Sequence, residues 1–152
     1  MAGLLSEVSS GPVALAASAP TTVLQLTAPT NQRTKIRRLS VSFDGTNGAA
    51  SPVRVSLYRQ TTAGIMTASP PVPVLLNAGL PESIQTAVTW KATTEPTYGD
   101  LIFDRNVPAY GGSLDVFFPF AQEPEIQGGG RLGVVCKAPA IVNVIVGIGW
   151  EE

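Results

Sequence analysis

The sequence predicts an all-β protein: a jelly-roll-like antiparallel β-sandwich of about eight strands with an extended N-terminal arm. Three observations predict it. Apolar residues recur with period 2 in short runs rather than at helical spacing. The runs are rich in Val, Ile and aromatics, the residues that fit a pleated surface. Gly, Pro and Asn separate them, with 15 Gly and 13 Pro in 152 residues, as turns between strands require. Eight strands with long connections favour a jelly roll over an immunoglobulin-like sandwich, which usually carries a Cys pair and a central Trp. The length fits one domain, with residues 1–20 as the arm and 21–152 as the sandwich.

The arm is read from composition. Ala, Ser, Gly and Pro dominate residues 1–20, giving little core to pack and little reason to form a helix. Its apolar stretch does not read as a secretory signal, because it holds no Lys or Arg and its one charge is Glu7. Thr21 to Ala28 is a short strand ended by Pro29. Arg33 to Asp44 alternates, with Leu39, Val41 and Phe43 on one side and Arg38, Ser40 and Ser42 on the other, which is a half-buried strand. Asp44-Gly45 and Asn47-Gly48 supply a turn, and Val53 to Arg59 returns with Val53, Val55 and Leu57 inward.

Gln60 to Glu82 is irregular, with four prolines; a loop this long inside one domain is usually functional or interface-forming. Ser83 to Trp90 fits period 2, although Pro81-Glu82-Ser83 can open a helical turn. Leu101 to Phe103 and Leu114 to Phe120 are further strands. Arg131 to Lys137 places Leu132, Val134 and Cys136 on one face and Arg131, Val135 and Lys137 on the other. Ala140 to Trp150 is apolar on both faces and predicts a central strand covered on both sides.

Net charge is −1 and only 14% of residues are charged, which argues against a nucleic-acid or anionic-membrane binder. No run approaches ~20 uninterrupted apolar residues, so no membrane-spanning helix is expected. The chain has no histidine, which removes Ser-His-Asp and Cys-His catalysis, His-ligated zinc and the usual general base near neutral pH. Cys136 lies in an apolar run, as a buried inert thiol does. Gly128-Gly129-Gly130 lacks a following Lys-Ser/Thr and is a turn, not a phosphate loop. No cofactor and no enzymatic activity are expected.

Few clusters remain. Glu123 and Glu125, if extended, share a face about 6.6 Å apart, within glycosidase range, but glycosidase pairs converge from separate strands. Asp100 and Asp104 can ligate calcium only with help that no spaced Asp/Asn/Gly loop supplies. Arg33, Lys35, Arg37 and Arg38 hold four of ten cations; as a strand, the first three share a face and Arg38 takes the other. They are either charges that guard a strand end against edge pairing or a patch for an acidic partner or neighbouring subunit. Adjacent Phe117 and Phe118 face opposite sides, so one enters the core and the other needs a cover, from a loop or from another subunit.

The closing pattern, Leu114-Asp-Val-Phe-Phe-Pro-Phe120, then Gly128 to Pro139, then a strand ending Trp150-Glu-Glu152, resembles the capsid decoration (cement, auxiliary) proteins of tailed phages, particularly long-tailed thermophilic ones. Arg37 to Phe43 followed by Val53 to Gln60 fits the same resemblance, which lies in strand pattern over residues 21–152. It implies a homotrimer on the outer surface of an icosahedral shell, made in the host cytoplasm and binding the major capsid protein at three-fold positions against internal DNA pressure. It implies also that a terminal arm reaches a neighbour, a role falling here to Met1–Pro20 with Leu4, Leu5, Val13 and Leu15 as contact residues. Arg33, Lys35, Arg37, Arg38, Phe117 and Phe118 complete the expected interface. The alternative is a glycan- or receptor-binding virion module using Trp90, Tyr98 and Tyr110 as a stacking platform.

Overall fold

Alternating apolar runs bury one face each, and two such faces close on one another. The computed structural model describes residues 3–77 and 82–152. Among them the chain forms thirteen β-strands and no helix. They are β1 (Leu5–Ser9), β2 (Val13–Leu15), β3 (Pro20–Thr27), β4 (Thr34–Phe43), β5 (Val53–Gln60), β6 (Ile65–Thr67), β7 (Val74–Leu75), β8 (Ala87–Thr94), β9 (Tyr98–Val107), β10 (Ser113–Phe117), β11 (Glu125–Ile126), β12 (Arg131–Lys137) and β13 (Val142–Glu151).

Two antiparallel sheets form a sandwich. The seven-stranded sheet has the order β10-β4-β13-β1-β7, with β11 also on β4 and β2 also on β13; the six-stranded sheet has the order β6-β8-β3-β12-β5-β9. The pairs β1·β13, β3·β12, β4·β10 and β5·β9 nest inside one another along the chain. That is one long hairpin rolled over on itself, a pairing compatible with a jelly roll. Between the sheets lies one buried cluster. It includes Leu24, Leu26, Leu57, Leu132, Val134 and Cys136 from one sheet, and Ile36, Leu39, Val41, Val144, Ile148 and Trp150 from the other.

All eight expected strands are present, and five more appear: β1 and β2 in the expected arm, β6 and β7 in the irregular Gln60–Glu82 loop, and β11 just before the Gly128–Gly130 turn. The largest correction concerns the N-terminus. Residues 5–9 pair with β13 and β7, and residues 13–15 pair with β13. Leu4, Val13 and Leu15, expected to contact a partner, are 8%, 1% and 1% exposed inside this chain's own core, and only Leu5 is half-open. The segment is therefore part of the sheet rather than a projecting arm. The reason is physical: β13 needs a neighbour on each edge, and alternating Leu4, Ser6 and Val8 present an inward face once paired there.

β13 is central, as expected, but not covered on both sides. Val142, Val144, Val146, Ile148 and Trp150 point inward, while Asn143 and Ile145 are open to solvent and Gly147 and Gly149 carry no side chain. The strand at Ser83–Trp90 starts later, at Ala87, and runs to Thr94. The helical turn suggested at Pro81 falls partly outside the described residues.

Candidate binding face

The outer face of the seven-stranded sheet is the open one. Across it runs a row Val74–Glu7–Gly149–Arg38–Phe117, fixed by strand register. Beside that row lie Ser9, Gly147, Ser40 and Asp115, then Ile145, Ser42 and Ser113. Small side chains leave a shallow depression of about 310 Å³ there, lined by serines, Gly147, Ile145, Glu7 and Asp115. The middle of the opposite sheet's outer face is filled by its own polar groups. The buried Gln25 amide donates to Gln60 Oε1 at 2.6 Å, and Gln60 donates to Thr22 Oγ1 at 3.0 Å. Glu95 accepts from the Thr22 backbone and hydroxyl and from the Tyr98 hydroxyl. Gln60 lies over Gly133, where any Cβ would collide with its amide.

The basic cluster sits on the open face, arranged differently from expectation. A register shift between Gly149 and Trp150 sets Gly149 opposite Arg38 and Trp150 opposite Ile36, so Arg37 is the extra residue of a β-bulge. Arg37 and Arg38 both reach carboxylates as a result. Arg38 contacts Glu7 at 3.1 Å and Asp115 at 2.8 Å, while Arg37 pairs with Glu123 and, at 3.0 Å, with Glu151. Arg33 and Lys35 pair with Glu125 at 3.1 and 3.7 Å. All four cations are thus neutralised within the chain, which removes the unpaired patch expected for an acidic partner. The edge-guarding role fails too, because β4 lies between β13 and β10.

The same pairs engage the carboxylate candidates. Glu123 and Glu125 are divided between different cations, and the Glu123 side chain is only 2% exposed. Asp104 is held by Arg54 at 2.7 Å and by the Ser56 hydroxyl at 2.8 Å, and Asp100 is exposed elsewhere on β9. Among the described residues no group of three or more Cys, Asp or Glu is placed to hold a metal. Cys136 is fully buried, and burial pushes its thiol up to about 12. Trp90, Tyr98 and Tyr110 do not assemble. Trp90 packs against the core, Tyr98 stacks on Tyr58 at 4.9 Å, and Tyr110 is exposed where Gly45 bridges to it.

Phe117 and Phe118 divide as the sequence required. Phe118 packs inward, edge-on to Phe103 at 6.4 Å. Phe117 is 69% exposed, with the Arg38 guanidinium 5.3 Å from its ring centroid, so no loop covers it. Three residues on, Phe120 is 81% exposed. Sequence reasoning noted Phe120 without selecting it; its place after Pro119 was the available signal. It missed Ile145, and the packing that Val72, Val74, Leu75 and Leu76 suggest for the Gln60–Glu82 loop is not found at Val72, Val74 and Leu76, which are exposed as Ile145 is. Compared with known proteins, the chain matches no family model, and neither a curated protein nor a solved structure is significantly similar to it.

The ion pairs carry a pH consequence. Asp115 is held below the ordinary carboxyl value by its hydrogen bond from Arg38, Asp104 by Arg54 and then Ser56, and Asp44 by Asn143. Glu123 is lowered first by a hydrogen bond from its own backbone and then by Arg37 and Lys35, against desolvation. A carboxyl whose folded pKa is depressed contributes stability that is complete above its unfolded value, about 4, and is lost as pH falls through the folded value. With no histidine to titrate near neutrality, the melting temperature is expected to be flat from about pH 8 to pH 5 and to fall below about pH 4. Asp104→Asn should lower it at pH 7, and by progressively less as pH falls below about 4. A thermal-shift series across pH checks this, and a step near pH 6–7 would contradict it.

Proposed function

We propose that this chain is a structural virion protein that binds the outer surface of an icosahedral phage capsid as a trimer and stabilises it against internal DNA pressure. The observation that carries the reading is the pair Phe117 and Phe120, 69% and 81% exposed at the open edge of the seven-stranded sheet. Large exposed apolar side chains on a rigid sandwich mark a surface made for protein contact. The face around them offers ion pairs already satisfied within the chain and small hydroxyls, a composition suited to a polar rim around apolar anchors. The strand pattern's likeness to tailed-phage decoration proteins supports a capsid as the partner. Asp104 and Glu123 are engaged in ion pairs, and Cys136 lies in the core.

The test is binding to shells of the encoding virus that lack the protein. The purified chain is expected to sediment with them and to saturate. A chain left wholly in the supernatant overturns the reading.

A further inference from the structure

Two dipeptides of this chain, Asp44-Gly45 and Asn47-Gly48, set a short side-chain carbonyl before a glycine. In such a pair the glycine nitrogen can attack the side-chain carbon, because no Cβ shields that nitrogen and the glycine backbone bends freely. The structure treats the two pairs oppositely. The Asp44 carboxylate is pinned by the Asn143 side-chain amide at 2.8 Å and by the Asn143 backbone N–H at 3.0 Å, and these bonds hold it below the ordinary carboxyl value. An ionised carboxylate is a poor electrophile. Gly45 is packed so closely that an added Cβ would collide with the Ala109 carbonyl, and it bridges to Tyr110. That pair is locked.

Asn47-Gly48 is open. Thr46 to Ala49 are all exposed, at the tip of the loop between β4 and β5. Asn47 Oδ1 accepts from the Ala49 N–H at 3.0 Å, and Asn47 O accepts from the Ala50 N–H at 3.1 Å. The first bond closes a small ring that contains Gly48 N, so Asn47 Cγ is folded back toward that nitrogen. Among the described residues no hydrogen bond occupies the Gly48 N–H. The nearest atom to a Cβ built on Gly48 is Tyr110 Cδ1, 4.0 Å away. The other asparagines, Asn31, Asn77, Asn106 and Asn143, precede Gln, Ala, Val and Val, whose side chains crowd the nitrogen. Asn106 and Asn143 are also held in β9 and β13.

We propose that Asn47 is a self-modifying residue, converted in the folded protein to aspartate and isoaspartate. Gly48 N bonds to Asn47 Cγ, the Cγ–Nδ2 bond breaks, and the amide leaves as ammonia with the Gly48 proton. Water then opens the succinimide at either carbonyl. One opening gives aspartate; the other gives isoaspartate, with the backbone routed through the side chain. Each event adds one negative charge to a chain of net charge −1. The charge appears on the rim of the hollow lined by Gly45, Ala109, Ile141 and Val142, where no ionisable residue stands. The isoaspartyl form also lengthens the backbone of the turn that sets Ala50 against the core. The surface beside Ile141 therefore passes from neutral to acidic as the protein ages.

The experiment holds the purified full chain in warm, mildly alkaline buffer, folded and, in parallel, unfolded in urea. Anion exchange reads the added charge, and peptide mass mapping with an isoaspartyl methyltransferase locates the residue and its linkage. Gly48→Ala and Asn47→Gln are the comparison variants, with circular dichroism to confirm that each folds. Alanine fits at position 48, where φ lies outside the left-handed region and the space is open. The folded wild type is expected to accumulate an acidic species modified at residue 47, with Asp44 keeping its ordinary linkage. Gly48→Ala is expected to slow the conversion by roughly tenfold or more, because its Cβ shields the nitrogen and stiffens the backbone. Asn47→Gln is expected to yield no such species, since its longer side chain closes a ring far more slowly. Residue 47 remaining asparagine in the folded chain overturns the proposal, whether or not it converts in urea. So does a Gly48→Ala variant that converts as fast as the wild type.

Discussion

Deleting residues 1–15 is expected to leave a chain that does not fold. The segment supplies β1 and β2, which occupy one whole edge of β13. It also supplies Leu4, Val8, Val13 and Leu15 to the core. Full burial of an aliphatic side chain contributes about 1.5–3 kcal/mol, so the four together are worth on the order of 6–12 kcal/mol, which is as large as the ~5–15 kcal/mol stability of a typical domain. The Ser10 hydroxyl, which accepts from the Val146 N–H at 2.9 Å, is lost as well, and β13 is left with a bare edge. The truncated chain should show no cooperative melt by near-ultraviolet circular dichroism and should aggregate through that edge. A truncated chain that melts like the full one would mean that the N-terminal strands are an appendage after all.

The second large effect is at Trp150. Its ring is 1% exposed, the largest of the fully buried side chains, and its indole N–H reaches Glu152 Oε2 at 3.4 Å. That same carboxylate accepts from the backbone N–H groups of Gln85 at 2.5 Å and Thr86 at 2.8 Å, so the end of β13 also ties down the approach to β8. Trp150→Ala is expected to cost about 3–5 kcal/mol, through lost transfer energy and the cavity left behind. For a domain of this size that lowers the melting temperature by roughly 6–20 °C. Trp150→Phe should cost clearly less, because it keeps most of the buried ring. Equal losses in the two variants would show that the indole's hydrogen bond, not its volume, is what matters.

Much of the fold was legible because it is written locally. Leu39, Val41 and Phe43 alternate with serines, and all three are buried; Leu132, Val134 and Cys136 share an inward face as period 2 requires. The failures were non-local. Val13 and Leu15 stand among Ala, Ser, Gly and Pro, in a strand of three residues too short to show a period. Only the partner strand, about 130 residues away in sequence, makes them core. The site failed for the same reason. Arg38 finds Glu7 31 residues back and Asp115 77 residues on, and no spacing rule predicts such meetings. The bulge that turns Arg37 and Arg38 toward carboxylates depends on β13, not on β4 alone. The Phe117/Phe118 split was readable because adjacency in a strand settles it without any partner.

The reading of this chain as a capsid-binding protein is tested most directly by the stoichiometry of its binding to shells that lack it, followed by gradient sedimentation at neutral pH. The proposal predicts saturable binding that levels off at three copies per three-fold position, with no loss on raising salt to about 0.5 M, where exposed charge attraction is largely screened. Unsaturable binding, or binding abolished by that salt, would contradict an apolar, geometrically defined contact. No binding at all would contradict the functional reading itself.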